Sequence, residues 1–354
     1  MRKLDILLYT RASGGGGAER VWSILAAGLA ARGHRVVFAF DERVPGIPID
    51  PAVEAVDVGA RHGVAVLALA RLMRRRRFDV VAAAVSVSCV KLALAKLLAP
   101  TRVPLVLSYH GFEEYKTGRL SAAAYYGLPL LRLIASRFVG VSDGIVEALV
   151  KRWHAPAART ERIYNPVPLL VAATVDEIAA RPPVVGAVGR LSREKGMDVL
   201  IDAFARLTTP DARLVIGGDG PERDNLLRQA AELGVGDRVR FMGRVASAAE
   251  VYGLARVAAV PSRTEAFGMT TVEALSAGLK VVASDCAGSR EILAGRRVGE
   301  LVPVGDAVAL AAALDKALAA PPDPAPGVDR ARDFSAEAGI DQWERLFAAL
   351  AGPG

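Results

Sequence analysis

The sequence of 354 residues predicts an α/β protein made of two halves, each with a parallel sheet covered by helices on both faces. Three observations predict this. Short apolar runs alternate with longer helical patterns along most of the chain. The alternation stops near the middle, at Asn165-Pro166-Val167-Pro168 and Pro182-Pro183, and then restarts. Hydrophobic residues make up 52% of the chain and charged residues 23%, enough for two cores and too apolar for a disordered chain.

Taken in order, residues 6–9, 36–40, 80–84, 105–108 and 137–141 read as strands, with helical stretches such as 19–31 between them. A second series follows at 184–188, 213–216, 239–241, 257–260, 280–284 and 300–302. The expected division is a first domain over 1–166, a linker over 167–183, a second domain over 184–330 and a terminal helix within 331–354. That helix follows the proline-rich stretch 321–327. Ser335 can cap it, with Trp343, Leu346, Phe347 and Leu350 on its apolar side. It must dock on one half or on the seam between them.

The net charge is +7. Residues 1–168 hold 24 Lys and Arg against 13 Asp and Glu, and the remainder holds 21 against 25, so the basic excess belongs to the first half. Arg74-Arg75-Arg76-Arg77 closes an apolar helical segment over 64–73. Lys116, Arg119, Arg132 and Arg137 flank Tyr125, Tyr126, Leu128, Leu130, Leu131 and Ile134. Basic residues among aromatic and aliphatic ones suit an anionic membrane surface. The alternative is a solvated helix face beside a core stripe. No recognition motif accompanies the cations, so nucleic acid is not expected as a partner.

The first apolar run is too short for a signal sequence and contains Asp5. The longest uncharged stretch, 163–175, contains two prolines and falls short of the roughly 18 residues a spanning helix needs. A cytoplasmic location is expected. Cys89 and Cys286 stand far apart, and His34, His62, His110 and His154 lack ligand spacing, so neither a disulfide framework nor a protein-built metal site is expected.

Four glycine-containing turns carry the chemistry. Gly14-Gly15-Gly16-Gly17-Ala18-Glu19-Arg20 follows the first strand and opens a helix, which allows an anion cradle or merely a flexible turn. It matches neither a Walker loop nor a dinucleotide fingerprint. Gly189-Arg190-Leu191-Ser192-Arg193-Glu194-Lys195-Gly196 follows the first strand of the second half. It sets Arg190 and Lys195 at a sheet's carboxyl edge, where ligands of such sheets bind. A guanidinium fork with a lysine point charge suits a diphosphate. Gly217-Gly218-Asp219-Gly220-Pro221 is another strand-to-helix turn, with Pro221 expected at the first helical position. The segment 261–278 is the most informative. A loop carries Glu265, a helix starts near Gly268–Thr271, and Glu273 lies one turn inside it, where a carboxylate can accept ribose hydroxyls.

These motifs, with Val141-Ser142, Asn165-Pro166, Phe241-Met242-Gly243 and Glu265 eight residues before Glu273, resemble the retaining GT-B glycosyltransferases of family 4, the group 1 type, over nearly the whole chain. The resemblance implies two Rossmann-like domains facing a cleft, with the last helix returning to the first domain. It implies a nucleotide-sugar donor, UDP-sugar being commoner than GDP-sugar among look-alikes, and no cofactor or metal. Arg190 and Lys195 would hold the diphosphate, Glu273 the ribose and the Met242 backbone the base. Glu265 and the amides of Phe267, Gly268 and Met269 would lie at the donor sugar, with Thr270 near the phosphates. Gly15 and Gly16 would lie where donor and acceptor meet, and His110 would match the family's first-domain active-site histidine. The glycine loop is similar to those of enzymes that build bacterial surface polysaccharides on lipid carriers. That implies a lipid-linked saccharide acceptor and a peripheral enzyme on the inner face of the plasma membrane. A nucleotide-sugar epimerase, a glycoside hydrolase using Glu265 and Glu273, and a non-catalytic sugar-binding protein are the competing readings.

Overall fold

The structure, a computed structural model, describes residues 2–45, 47–293 and 298–352. The chain divides into two compact units, Met1–Pro166 with Ala336–Gly354, and Val167–Ser335.

The first unit runs β1 (Asp5–Ala12), α1 (Gly17–Ala31), β2 (Arg35–Glu42), β3 (Glu54–Asp57), α2 (His62–Arg75), β4 (Val80–Ala84), α3 (Ser86–Leu98), β5 (Leu105–Tyr109), α4 (Arg119–Tyr126), α5 (Leu128–Leu131), β6 (Arg137–Gly140), α6 (Asp143–Glu147) and β7 (Thr160–Arg162). The strands form one parallel sheet in the order β3-β2-β1-β4-β5-β6-β7. β4 and β5 are buried along their whole length, because helices cover both faces of the sheet, and they read as unbroken apolar runs. The edge strands β3 and β7 do not stand out in the sequence. Each is short, charged and open to solvent on one side, so no apolar run marks it.

Register fixes where the loops emerge. Tyr9 pairs with Ala83, and Ala84 with Ser108, so β4 and β5 end within a residue of each other, β1 runs two residues further, and the three release Ser13, Ser86 and His110 at one edge. Behind that edge α3 buries Lys91, whose ammonium lies 2.5 Å from Asp41 on β2. The Tyr9 hydroxyl donates to the other oxygen of the same carboxylate. This triad ties β1, β2 and α3 together with no charge left unpaired.

The second unit runs α7 (Val175–Ala180), β8 (Val184–Val188), α8 (Met197–Phe204), β9 (Arg213–Gly217), α9 (Arg223–Glu232), β10 (Val239–Gly243), α10 (Ala249–Tyr252), β11 (Val257–Val260), α11 (Met269–Ser276), β12 (Lys280–Ser284), α12 (Ala287–Leu293), β13 (Gly299–Val302), α13 (Ala307–Ala319) and α14 (Ala325–Arg332). Its parallel sheet has the order β10-β9-β8-β11-β12-β13. Leu200 and Phe204 of α8, Ile216 of β9 and Leu314 of α13 are fully buried in one core.

Three expectations are corrected here. The stretch 167–183 is not a free linker. The Leu170 amide donates to Ser276 Oγ at 3.0 Å and the Ala173 amide to the Ala277 carbonyl at 3.1 Å. Thr174 and Glu177 form a capping box that starts α7. The proline-rich stretch 321–327 gives way to α14, which belongs to this unit and not to the terminal helix. Pro221 stands two residues before α9 rather than at its first position, because the turn continues to Glu222.

The last helix, α15 (Ala336–Ala351), belongs to the first unit. Ile340, Trp343 and Phe347 form a buried stripe at helical spacing. Trp343 meets Trp22 of α1 edge to face at 5.7 Å. Gly28 on α1 leaves the room Ile340 occupies, since a Cβ there would collide with the isoleucine. Glu344 accepts from Arg32 at 2.5 Å and from His34 Nε2 at 2.9 Å, while His34 Nδ1 accepts from the Leu4 amide.

Candidate active site

Both sheets have the doubly wound order. The first strand of each is flanked by the second strand on one side and the fourth on the other, so the winding reverses between β1 and β4 and between β8 and β11. Ligands of such sheets bind outside the carboxyl ends at that reversal.

In the second unit two loops leave the reversal point, 189–196 after β8 and 261–268 after β11. They touch so closely that Gly196, at φ +64°, has no room for a Cβ against the Pro261 carbonyl. Arg263 ties them together. It grips Asp198 with two nitrogens at 2.7 and 2.6 Å and donates to the Arg193 carbonyl at 2.8 Å. Burial pushes the Asp198 carboxyl up, but the hydrogen bonds and charge of Arg263 and the amides of Asp198 and Val199 outweigh it and hold the group below its ordinary value.

On this frame Lys195 Nζ lies 2.6 Å from Glu265 Oε2, both side chains partly open to solvent. The Ser262 hydroxyl stands 3.4 Å from the same carboxylate oxygen. The Glu265 carbonyl accepts from the Gly288 amide at 2.9 Å, which seats the start of α12 under the loop. Gly268, at φ +102°, caps α11. The amides of Met269 and Thr270, at the start of the helix, have no acceptor among the described residues. Glu273 is buried in α11, close enough to Tyr252 that its charge adds to the burial that pushes that phenol up. Arg190 is exposed one residue beyond Gly189, and its charge reaches Glu194 on the same loop. Phe267 is buried, edge to face with Phe334 at 5.6 Å. Met242 falls where the β9–β10 register slips, between Phe241 and Gly243, and it is partly open beside the end of β9. Lys195, Glu265 and the start of α11 therefore meet around one reversal point, with Arg190 on the same loop as Lys195.

In the first unit Gly16 caps α1 and Gly15 precedes it at φ +94°. His110, just past β5, is partly buried. Its Nε2 lies 3.0 Å from Ser108 Oγ and takes a long 3.4 Å bond from the Trp22 indole, and Nδ1 has no partner among the described residues. Burial holds this imidazole down to about 3, so it is neutral near pH 7. With the indole donating to Nε2, the ring proton sits on Nδ1.

Sequence reasoning missed Glu114, which accepts from the Ser86 amide at 2.8 Å and the His110 amide at 3.3 Å. Its carboxyl is pushed up by burial, against the pull of those bonds. The buried hydroxyls of Thr10, Ser86 and Ser88 have no partner among the described residues, and Val85 takes a left-handed φ of 71° between β4 and α3. That uncommon backbone and the long-range partners of Glu114 had no signal in the sequence. A serine-rich helix start after an all-alanine strand end is visible in the sequence.

Comparison with known proteins follows this division. Residues 15–169 match the Glycosyltransferase Family 4 profile, and residues 174–336 match Glycosyl transferases group 1. A D-inositol 3-phosphate glycosyltransferase of Gordonia bronchialis is 33% identical over 251 residues, covering 62% of this chain and 54% of the relative. A phosphatidyl-myo-inositol mannosyltransferase of Mycobacterium leprae is 33% identical over 228 residues, covering 60% of this chain and 57% of the relative. The matched stretches thus span little more than half of these relatives. The fold is that of Anabaena Alr3699/HepE, solved with UDP and glucose, at a TM-score of 0.83 and 23% identity over 97% of this chain and 99% of that one. With both halves matched in order and the paired sheets of the GT-B architecture present, the chain belongs to the family 4, group 1 glycosyltransferases.

Proposed function

We propose that the protein transfers a hexosyl or hexosaminyl unit from a nucleotide-sugar, a UDP-sugar by preference, to an acceptor hydroxyl with retention of anomeric configuration. The observation that carries this reading is the Lys195–Glu265 pair beside the free amides of α11, on two loops locked by Arg263 and Asp198. Breaking a sugar–phosphate bond leaves an oxocarbenium-like sugar and an anionic diphosphate, so stabilising the leaving charge is the main catalytic demand. Lys195, Arg190 and the amides of Met269 and Thr270 meet it without a metal. Glu265 holds the Lys195 ammonium in place and, with its carboxylate, orients the donor sugar. Glu273 takes the ribose, and the Met242 backbone takes the base. His110 stays neutral and helps position the donor sugar rather than giving a proton to the leaving group. The leaving phosphate itself takes the acceptor proton.

The acceptor is proposed to be a lipid-linked saccharide of cell-surface polysaccharide synthesis, taken by the first unit, with the enzyme working peripherally on the inner face of the plasma membrane. The name of one matched relative, a phosphatidyl-myo-inositol mannosyltransferase, supports a lipid-anchored acceptor, while the name of the other, a D-inositol 3-phosphate glycosyltransferase, carries no lipid. Among the described residues no helix is long and apolar enough to cross a membrane. Incubating the protein with a panel of UDP- and GDP-sugars and lipid-extract acceptor tests the reading. Acceptor-dependent release of UDP with a new lipid-linked product supports it. Isomerised donor without transfer, or binding without turnover, contradicts it.

A further inference from the structure

Among the described residues of the first unit, every large apolar side chain left exposed lies on one face. These are Val64 and Leu67 on α2, Leu94, Leu97 and Leu98 at the end of α3, Tyr126 on α4, Leu130 on α5 and Leu133 just after it. Their exposure runs from 45% to 76%. On α2 and α3 they recur at helical spacing, and α2 packs against α3 and α3 against α4, so the exposed side chains lie side by side. The sequence pointed to Tyr125, Tyr126, Leu128, Leu130, Leu131 and Ile134 in this region, and Tyr126 and Leu130 are exposed, unlike Tyr125, Leu128 and Leu131. The structure turns those three inward and puts the leucines of α3 in their place.

The charge on this face has one sign. α2, α3, α4 and α5 contain no Asp or Glu. Arg71 and Arg75 on α2, Lys96 on α3, Arg102 after it and Arg132 after α5 form no ion pair among the described residues. Between the ends of α3 and α5 lies an open groove of about 430 Å³, lined by Lys96, Leu97, Pro100, Arg102, Leu133 and Ile134. Lys96 Nζ donates to the Ile134 carbonyl at 3.0 Å. Half-buried without a carboxylate, it has its pKa lowered by desolvation. An arriving anion would reverse that cost. The groove sits at the amino edge of the sheet, before β5 and β6, so it is separate from the loops that leave the carboxyl edge.

We propose that the outer face of α2, α3 and α4–α5 docks on a bilayer containing anionic lipid, with its leucines in the headgroup–acyl boundary and a lipid phosphate in the Lys96–Arg102 groove. This deepens the membrane location proposed above by naming the surface that makes the contact. A second copy of the chain fits the face poorly, since its cations would meet like charge. An anionic interface satisfies both the cations and the exposed apolar side chains.

The test is co-sedimentation of the full chain with vesicles of phosphatidylglycerol and phosphatidylcholine, beside vesicles of phosphatidylcholine alone. Wild-type protein is expected to bind the anionic vesicles and to release as salt is raised. Combining Arg75→Glu, Arg102→Glu and Arg132→Glu should weaken binding at least about a hundredfold, at roughly 1 kcal/mol per cation removed. Combining Leu97→Ser, Leu130→Ser and Leu133→Ser should weaken it by about tenfold or more. Melting temperature and UDP affinity should stay at wild-type values in both variants. Wild-type protein left in the supernatant, leucine variants that bind as well as wild type, or a dimer that the leucine changes abolish would each overturn the proposal. Vesicle binding without UDP binding would leave this surface standing and remove the donor site instead.

Discussion

Two lysine–carboxylate pairs of nearly equal length occupy corresponding sheets, Lys91–Asp41 at 2.5 Å in the first unit and Lys195–Glu265 at 2.6 Å in the second. Lys91 and Asp41 have side chains only 1% and 5% exposed, and Tyr9 completes the carboxylate's bonding. Lys195 and Glu265 are 27% and 14% exposed, at the open end of their sheet. The comparison teaches that the pair alone does not identify a site. A sealed pair can only hold elements together. An open one can exchange partners with an incoming anion at small desolvation cost.

The largest expected effect separates the two pairs by activity. Lys195→Ala should lower sugar transfer by a factor of tens to thousands, from the roughly 2–5 kcal/mol that loss of a charge-assisted partner costs. Its melting temperature should stay close to wild type. Lys91→Ala should do the reverse. It strands Asp41 in the core, and denaturant titration should show a loss of about 3–5 kcal/mol. A Lys91 variant with normal stability would mean that water reaches Asp41 and that the contrast drawn here is false.

A smaller effect sharpens the first unit. Gly28→Leu puts a side chain where Ile340 lies, and overpacking of that kind costs about 1–3 kcal/mol. Its melting curve should move down while UDP affinity, measured on the folded protein, does not change.

Smaller still is the acid response of the second unit. Asp198 has a folded pKa below its unfolded one, so its contribution is complete above the unfolded value, near 4. It is lost as pH falls through the lower folded value. Arg263→Gln should flatten that part of the stability–pH curve, with only a modest change at neutral pH because both side chains are substantially exposed. His110 acts in the same direction over a different window. Its folded value near 3 lies below the ordinary histidine value of about 6.5, so its contribution is complete above that value and fades as pH falls towards 3. His110→Gln should remove this slope. The transfer rate of wild type should show no inflection from this group between pH 5 and 8.

What the sequence made legible follows from range. β8, the glycine turn after it and the 261–278 segment are local patterns, and the structure keeps them nearly as read. The pairing of Lys195 with Glu265 spans 70 residues, and that of Arg263 with Asp198 spans 65. Topology alone brings such residues together. Glu114 was illegible for the same reason, since its role depends on the ends of β4 and β5 lying level. Within the patch, Tyr125, Leu128 and Leu131 turn inward while Tyr126 and Leu130 stay exposed, because spacing alone over helices as short as α4 and α5 does not say which way each side chain turns.

The most direct test of the account is calorimetric titration of UDP and GDP against uridine and guanosine, with wild-type protein and Lys195→Ala. The account predicts that one diphosphate binds wild type at least about a hundredfold more tightly than its own nucleoside and that the variant loses most of this difference. Nucleoside and diphosphate binding with equal affinity, or a difference that survives loss of the ammonium, would contradict it.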